Sequence, residues 1–371
     1  MTRPSVRPDL AALEGYHSPQ LSVDVRLNTN EAPEPPPPGF AAAVREAVDS
    51  IDWHRYPDRA AIGLRTALAD LHGRRPEEVF CANGSNEVLQ TVLLAYAGPG
   101  RAVATFEPTY AMHQHIARIT GATSVLGERR HDFTLDLDHA ADVIAGHRPA
   151  VTFLCSPNNP TGTVETEASI RAVLTMVEAV DGLLVVDEAY GQFAPWSALS
   201  LVDDDRPLAV TRTFSKTWAM AGARLGYLLA PGWLVAELDK VVLPYHLDAL
   251  KQRAGLAALR FVAAMEQRVA AIVEERGRLH VALDELGLRV WPSGANFVLF
   301  QAPEIGGQLV GRELWQSLVD RSVLVRDTSS WDRLEGCLRV TVGTPADNDR
   351  FLDGLRAALA ELGHHADGAT P

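Results

Sequence analysis

The sequence predicts an α/β protein with a mostly parallel main sheet that helices cover on both faces, followed by a smaller α+β domain. Between about residues 79 and 229, short apolar runs alternate with longer segments of helical periodicity. Parallel strands need such crossover helices, which then cover both faces of the sheet. After a long helical stretch over about 249–286, the pattern changes to four short strands and two helices. Ligands of such sheets bind at the carboxyl ends of the strands.

The composition is that of an ordinary globular protein and limits the classes of partner. Of the 371 residues, 47% are hydrophobic and 22% are charged, which is enough apolar material for two substantial cores. The 34 basic and 47 acidic residues give a net charge of −13, which argues against a nucleic-acid partner. No apolar segment has the length of a membrane span, and no signal-peptide pattern is visible. The three cysteines lie far apart, which favours a reducing compartment, so we expect a cytoplasmic protein.

The beginning of the chain has the pattern of an arm rather than of a folded domain. Residues 21–27 are compatible with one short strand, and the prolines at 35–38 favour an extended conformation. The predicted division of the chain is therefore an N-terminal arm (1–40), a large domain (41–255), a small domain that includes part of the arm (256–363) and a disordered tail (364–371).

Apolar runs and helical spacing define the elements of both domains. Leu64, Leu68 and Leu71 share one face of a helix that follows a helix at 41–50. In the large domain, strands are predicted at 78–82, 102–106, 123–126, 150–155, 183–186, 209–213 and 225–229, with helices over 83–97, 109–120, 136–146 and 166–180. In the small domain, strands are predicted at 288–291, 297–300, 323–325 and 338–342, with helices at 307–320 and 346–362.

Lys216 follows one of these strands and precedes a small, apolar segment at 218–223. Burial in such surroundings disfavours the charged ammonium form of a lysine. The neutral amine is the form that attacks a carbonyl carbon, as in the covalent binding of pyridoxal phosphate. For an isolated lysine, a surface position with an exposed head group is the commoner explanation. The interpretation of Lys216 therefore depends on the motifs elsewhere in the chain.

Asp187 ends an apolar strand, and Tyr190 follows it three residues later. An aspartate here could cap the next segment, which is its usual role, or accept a hydrogen bond from a protonated pyridine nitrogen. The second contact would keep the ring cationic, so that it accepts the electrons left when a Cα–H bond breaks. Tyr190, and Asn159 in the turn Ser156–Gly162, could both donate to the phenolate oxygen of the cofactor.

Asn83–Asn86 opens a predicted helix directly after a strand. Free N–H groups, a serine hydroxyl and the positive end of a helix dipole together suit a phosphate group. Capping of the helix by Ser85 or Asn86 is the alternative, and this stretch alone favours it. Ser215 and Arg224 are further candidates for phosphate binding.

Tyr110 follows another strand and could either place its ring against the pyridine face or belong to the core. Close to it, His113 and His115 lie two residues apart in a predicted helix. Residues at this spacing do not share a helix face, so we expect no metal site.

Taken together, these motifs resemble those of the fold-type I pyridoxal-phosphate aminotransferases. The resemblance rests on their order and spacing along the chain, since each motif alone is weak. It narrows to the histidinol-phosphate aminotransferases and covers the chain from about residue 16 to about 362. The further stretches that carry it are Arg26–Pro33, His54–Asp58, Leu243–Leu247, Ser293–Phe300 and Gly336–Thr344.

The resemblance implies pyridoxal 5'-phosphate as the cofactor, a seven-stranded sheet in the large domain and a homodimer with shared sites. It implies that Lys216 binds the cofactor covalently and moves the substrate proton, and that Asp187 pairs with the pyridine nitrogen. Asn159 and Tyr190 would contact the phenolate, and Tyr110 would stack on the ring. The implied phosphate ligands are Gly84, Ser85, Asn86, Ser215 and Arg224, with Tyr56 from the neighbouring subunit. The implied substrate-binding residues are Arg326, Arg339, Tyr16, Asn30 and Tyr56.

The function that the resemblance implies is transfer of an amino group between L-histidinol phosphate and 2-oxoglutarate in a ping-pong cycle. Two arginines that each accept a carboxylate or a phosphate would allow one site to take both substrates. Which arginine holds which anion stays open at this point. Two alternatives also stay open: an aminotransferase acting on phenylalanine or tyrosine, and a pyridoxal-phosphate decarboxylase acting on a phosphorylated amino acid.

Overall fold

A seven-stranded sheet forms the larger part of the fold in a computed structural model, which describes residues 4–11, 13, 15 and 20–363. The strands are β1 (Val25–Leu27), β2 (Val79–Ala82), β3 (Ala102–Glu107), β4 (Thr123–Glu128), β5 (Val151–Cys155), β6 (Leu183–Asp187), β7 (Leu208–Thr213), β8 (Gly226–Leu229), β9 (Arg289–Val290), β10 (Phe297–Gln301), β11 (Glu304–Ile305), β12 (Gln308–Leu309), β13 (Val323–Asp327) and β14 (Cys337–Thr341). The helices are α1 (Phe40–Asp49), α2 (Ile62–His72), α3 (Ser85–Tyr96), α4 (Met112–Ile119), α5 (Leu137–His147), α6 (Glu167–Glu178), α7 (Gly232–Val241), α8 (Ala249–Leu259), α9 (Val262–Glu285), α10 (Gly311–Asp320) and α11 (Pro345–Glu361).

The large sheet has the strand order β2-β8-β7-β6-β5-β3-β4. All neighbouring pairs are parallel except those of β8, which runs antiparallel to β2 and to β7. The central strands are buried along their whole length because helices pack on both faces, and β5 and β6 are accordingly almost entirely apolar. The carboxyl ends of β3, β5, β6 and β7 therefore open at one edge, as the sequence predicts.

The second sheet has the order β1-β13-β14-β10-β9, and helices α10 and α11 pack with it around a separate core. Its edge strand β1 comes from the N-terminal arm and pairs in parallel with β13, with Val25 opposite Val323 and Leu27 opposite Val325. This pairing fixes the following residues of the arm beside the large sheet. The predicted α/β fold with a smaller α+β part is confirmed, and the predicted boundaries at 40/41 and 255/256 stay predictions.

Several elements differ locally from the prediction. The long helical stretch is interrupted at Arg260 and Phe261, where the ring of Phe261 packs edge-on against Phe40 of α1. Helix α7 is an element that the sequence reading lacks, and a short hairpin of β11 and β12 replaces the start of the helix predicted from 307. The predicted tail and Tyr16 lie outside the described residues. No described helix is long and apolar enough to cross a membrane.

Candidate active site

A cavity of about 700 Å³ lies where the strand ends of the large sheet face the second sheet. It gathers most of the predicted site residues, although they are scattered along the chain. The predicted residues that line it are Asn30, Ser85, Asn86, Tyr110, Asn159, Asp187, Tyr190, Ser215, Lys216, Arg224, Arg326 and Arg339. Gly84 directly precedes the lining residue Ser85, and Tyr56 lies elsewhere on the surface.

Lys216 extends into this cavity from the loop after β7. Its Nζ donates a hydrogen bond to the carbonyl oxygen of Thr29 at 3.1 Å and lies 5.7 Å from the centre of the Tyr190 ring. Burial, together with the nearby cations Arg339 and Arg224, lowers the pKa of Lys216 to about 7. A substantial fraction of this amine is therefore uncharged at neutral pH.

Asp187 lies at the end of β6 and is buried, with its two carboxylate oxygens in different contacts. Its Oδ1 accepts hydrogen bonds from the Thr211 hydroxyl at 3.2 Å and from the backbone N–H of Ala189 at 3.1 Å. Its Oδ2 contacts Nε2 of His113 at 3.0 Å. The capping role that the sequence allows is thus present, together with a fixed carboxylate at the cavity wall.

His113 is the residue whose role the sequence reading missed. It is buried, its ring stacks on Phe153 with centroids 4.6 Å apart, and the ring of Tyr110 meets it edge-on at 5.4 Å. Because a carboxylate only accepts, Nε2 carries the proton in the contact with Asp187. The available signal was its position three residues after Tyr110 in the helix predicted over 109–120, since residues three apart share a helix face. In the structure α4 begins only at Met112, and the two rings still meet edge-on.

The start of α3 combines several groups that suit a phosphate. Gly84 is the N-cap residue with a φ of 84°, and no side chain of the described residues caps this helix, so Ser85 is the first helical residue. Capping by Ser85, the alternative allowed by the sequence, is therefore absent. Arg224 reaches the same place, since its Nη1 donates to the Ser215 hydroxyl at 3.1 Å and its Nη2 would lie 2.8 Å from a Cβ on Gly84.

Gly226 at the start of β8 closes the back of this cradle. A Cβ at this position would lie 2.3 Å from the backbone nitrogen of Ser85 and 2.5 Å from the carbonyl carbon of Gly84. Real Cβ atoms do not make contacts this short, so only glycine lets the two backbones approach. The first N–H groups of α3 therefore stay close to Ser215 and Arg224.

Tyr190 is buried between the two sheets. Asn30 donates from Nδ2 to the Tyr190 hydroxyl at 2.9 Å, and the ring of Phe297 packs edge-on against the tyrosine ring at 5.1 Å. Burial raises the pKa of Tyr190 to about 12, although Arg339 and the hydrogen bond from Asn30 oppose the shift. The hydroxyl thus stays protonated at neutral pH and is able to donate.

Asn159 and Arg339 are held together across the cavity. Nη1 of Arg339 donates to Oδ1 of Asn159, and Nη2 donates to the carbonyl oxygen of Asn28 at 3.0 Å. Because its oxygen is engaged by the guanidinium, the amide of Asn159 presents its NH₂ group as the remaining donor. Asn158, beside it, is buried and fixes the turn through the hydroxyls of Thr109 and Thr161.

Arg326 lies directly opposite Arg339 in the antiparallel pair of β13 and β14. The two side chains therefore share one face of the second sheet, and both line the cavity. The guanidinium carbon of Arg326 lies 5.4 Å from the centre of the Trp331 ring, which also lines the cavity.

Tyr56 does not line the cavity of its own chain. Its side chain is 80% exposed and its ring stacks on Tyr245, with centroids 4.5 Å apart and planes within 15°. The structure therefore separates this residue from the other predicted cofactor ligands within one chain.

Comparison with known proteins gives this geometry a context. The family model described as "Aminotransferase class I and II" matches residues 22–355. The chain belongs to this aminotransferase family. The predicted enzyme class and cofactor are confirmed with it: the protein is a pyridoxal-phosphate-dependent aminotransferase.

Curated relatives and solved structures agree with this assignment. The histidinol-phosphate aminotransferase of Frankia casuarinae is 45% identical, with 98% of this chain and 92% of the relative covered. That of Rhodococcus jostii is 44% identical, with 94% and 91% covered. The crystal structure of histidinol-phosphate aminotransferase from Sinorhizobium meliloti in complex with pyridoxal-5'-phosphate has a TM-score of 0.86 and 24% identity, with 96% and 98% covered. At 24% identity, the similarity to this crystal structure supports the fold alone.

The residues present fit the cofactor. The uncapped start of α3 and the missing Cβ of Gly226 leave a cradle for a phosphate group. Lys216 supplies a partly neutral amine, and Asp187 supplies a buried carboxylate that is oriented by His113 and Thr211. These groups line one cavity, so the donor set matches a cofactor with a phosphate, an aldehyde and a pyridine nitrogen.

Proposed function

We propose that the chain transfers the amino group of L-histidinol phosphate to 2-oxoglutarate in a ping-pong cycle. The observation that carries the substrate assignment is the full-length similarity, at 44–45% identity, to relatives named histidinol-phosphate aminotransferase. Arg326 and Arg339 support it, because guanidinium groups on one face suit both a phosphate and a carboxylate.

Lys216 is the proposed catalytic base. When bound, pyridoxal 5'-phosphate supplies an electron sink for the bond that breaks at the substrate Cα. Nζ of Lys216 would take the proton from that carbon and later deliver it to C4′, the cofactor carbon that would be bonded to the same nitrogen. A pKa of about 7 suits this task, because a group that both accepts and donates works best near the ambient pH.

Asp187, Asn159 and Tyr190 are the proposed polar contacts of the ring. Asp187 would hold the pyridine nitrogen protonated, and its contacts with His113 and Thr211 fix the carboxylate at the cavity wall. Tyr190 and Asn159 would donate to the phenolate oxygen from the loops that follow the neighbouring strands β6 and β5. The raised pKa of Tyr190 supports its role as a donor.

The remaining ligands follow from their places in the cavity. The proposed phosphate ligands are Gly84, Ser85, Asn86, Ser215 and Arg224, with Tyr110 stacked on the ring. The proposed substrate ligands are Arg326, Arg339 and Asn30, with Tyr56 from the neighbouring subunit. Tyr16, proposed as a further substrate contact, belongs to the undescribed part of the arm.

A homodimer is the proposed assembly, with Tyr56 reaching the cofactor phosphate of its neighbour. The support is a group of large side chains exposed around Tyr56: Trp53 is 71% exposed and Leu243 is 76% exposed, and Tyr245 lies beside them. Exposed apolar groups of this size mark surfaces that bind another protein. We also propose that the chain is divided into an arm, a large domain and a small domain at the boundaries predicted from the sequence. We further propose that the protein is located in the cytoplasm.

A single-turnover experiment tests the substrate assignment. The purified, cofactor-loaded protein is mixed with L-histidinol phosphate, and the absorbance of the bound cofactor is followed. We expect the band to be lost at micromolar substrate and to be restored by 2-oxoglutarate. If the band persists and is lost instead with phenylalanine or tyrosine, the substrate is an aromatic amino acid. Release of carbon dioxide from a phosphorylated amino acid, without need of an oxo acid, would assign a decarboxylase.

A further inference from the structure

Arg26 lines the active-site cavity, although the motif Arg26–Pro33 implied no role for this side chain. It is the middle residue of β1, and its neighbours Val25 and Leu27 are both buried in the core of the second sheet. Side chains alternate between the faces of a strand, so Arg26 lies on the opposite face, which is the face of the cavity.

Arg26 shares this face with Arg326 and Arg339. In the parallel pairing of β1 and β13, Arg26 lies beside Leu324, and residues two apart on a strand share a face. Arg326 is therefore the next residue of β13 on the same face, and Arg339 lies directly opposite it on β14. Three arginines thus occupy one face of three adjacent strands. Arg326 and Arg339 are direct neighbours about 5 Å apart, whereas Arg26 is a diagonal neighbour of Arg326 at about 7–8 Å.

The three guanidinium groups are held to different degrees. Arg339 is buried and donates to Asn159 and to the Asn28 carbonyl, and Arg326 lies against the ring of Trp331. Arg26 has a side chain that is 53% exposed. Within the described part of the chain, its ion pair is with Glu31, at 3.9 Å between Nη2 and Oε2.

This ion pair is loose. A charge-assisted hydrogen bond between these groups measures about 2.7–2.9 Å. At 3.9 Å, the ion pair of Arg26 and Glu31 therefore lacks most of the interaction energy of such a bond. The side chain of Glu31 is itself half-exposed and already accepts a hydrogen bond from the Thr29 hydroxyl at 2.9 Å. Arg26 is therefore free to exchange this partner for a stronger anion at little cost.

We propose that Arg26 is a specificity-determining residue that leaves Glu31 and joins Arg326 in binding the phosphate of the amino substrate. A phosphate monoester carries about −1.5 to −2 charges and three acceptor oxygens, which is more than one guanidinium fork satisfies. A carboxylate has two oxygens and one charge, which one bidentate arginine satisfies. The inference rests on the proposed function for the identity of the substrate, and it makes Arg26 the residue that separates phosphate from carboxylate.

Arg26→Gln tests this inference in the cofactor-loaded protein with three substrates. We expect KM for L-histidinol phosphate to rise about 10-fold or more, as for a lost hydrogen bond between charged groups. KM for 2-oxoglutarate should stay within about twofold, and kcat/KM for L-histidinol, which lacks the phosphate, should be unchanged. Arg26→Lys keeps the charge and loses the fork, so it should fall between the two.

A matched control is Arg350→Gln, which removes an exposed arginine of the same part of the fold. Arg350 belongs to α11, pairs with Asp24 at 2.9 Å and does not line the cavity. We expect wild-type kinetics for this variant. Equal increases in KM for the phosphate substrate and 2-oxoglutarate in Arg26→Gln, or no increase in either, would overturn the proposal.

Inhibition by inorganic phosphate separates this inference from the proposed function. It is measured against whichever amino donor the wild-type protein accepts. We expect inorganic phosphate to compete with that donor in the wild type and to lose about 10-fold in potency in Arg26→Gln. If histidinol phosphate is not a substrate and this loss is still observed, the proposed function fails while the role of Arg26 stands. Equal inhibition of both proteins contradicts that role.

Discussion

The two walls of the active-site cavity are built in different ways. One wall, here called the sheet wall, consists of Ser85, Asn159, Asp187, Lys216 and Arg224, each at or near the end of a strand of the large sheet. The other, the arginine wall, consists of Arg26, Arg326 and Arg339 on β1, β13 and β14. In the sheet wall, Asp187 is buried and hydrogen-bonded through both carboxylate oxygens, and Arg224, although exposed, is tied to Ser215. In the arginine wall, exposure increases from Arg339 to Arg26.

This difference separates two tasks. The sheet wall must hold one cofactor in one geometry, so its groups are fixed by neighbours such as His113, Thr211 and Gly226. In the proposed function the arginine wall accepts two substrates in turn, and a fixed site complementary to one anion would discriminate against the other. Changes to the sheet wall should therefore abolish catalysis, whereas changes to the arginine wall should redistribute KM between the substrates.

The largest effect is expected from Asp187→Ala in the sheet wall. Loss of a carboxylate that stabilises a developing charge costs about 10²–10³-fold in kcat, and here we expect the upper end because Asp187 is buried. Steady-state kinetics with saturating substrates measure it. Asp142→Ala is the control, because Asp142 is exposed on α5 away from the cavity. A kcat within about tenfold of wild type would remove Asp187 from the mechanism.

A smaller effect on the same wall is expected from Gly226→Ala. Its Cβ would press against the backbone at Gly84 and Ser85, and overpacking of this kind costs about 1–3 kcal/mol. We expect weaker binding of pyridoxal 5'-phosphate, measured by titration of the cofactor-free protein. Gly222→Ala is a close control, since nothing lies within 4 Å of a Cβ at that position. Unchanged affinity in Gly226→Ala would mean that the cradle does not hold the phosphate.

The two walls also differ in how far the sequence predicts them. Asp187 ends one apolar run and Lys216 follows another, and both runs have the length and composition of buried strands. The parallel topology then brings the carboxyl ends of these strands together. The contact between Asp187 and His113 joins residues 74 positions apart on a strand and a helix. Its geometry depends on how α4 packs against the sheet, which periodicity alone does not specify.

The arginine wall was harder to predict because it depends on pairing between distant strands. The alternation of Val25, Arg26 and Leu27 is visible in the sequence, but the partner strand of β1 is not. In the fold that partner is β13, and the arm is held further by a hydrogen bond between Asn30 and Thr341, which are 311 positions apart. The resemblance to a known family implied a substrate-binding role for Arg326 and Arg339. The place of Arg26 beside them became visible only from the pairing register of β1 and β13.

On the arginine wall, Trp331→Ala should have a modest and selective effect. The Trp331 ring lies against the guanidinium of Arg326, and a partly exposed cation–π contact contributes about 0.5–1 kcal/mol. We expect KM for the anionic substrate that Arg326 binds to rise about 2- to 5-fold, with kcat unchanged. Trp331→Phe keeps an aromatic face and should restore most of the affinity. An equal loss in kcat would show that the tryptophan acts on the sheet wall instead.

The smallest effect is expected from the electrostatic interaction between Lys216 of the sheet wall and Glu31, the ion-pair partner of Arg26. Burial lowers the pKa of Lys216 to about 7, and the Glu31 carboxylate opposes this shift by favouring the ammonium form. The neutral amine therefore forms as the pH rises through about 7, and covalent capture of pyridoxal 5'-phosphate by the cofactor-free protein should become faster over the same range. In Glu31→Gln the pKa should fall further, so the rising limb of the pH–rate profile should move to lower pH.

Stopped-flow absorbance of the cofactor-free protein, at several pH values, measures this shift. It should be small because the Glu31 side chain is half-exposed, and it should shrink further in high salt as the charges are screened. Glu167→Gln serves as the control, since Glu167 pairs with Arg171 on the surface of α6 and does not line the cavity. A shift to higher pH in Glu31→Gln would reverse the assigned sign. It would mean that the Glu31 carboxylate does not favour the ammonium form of Lys216.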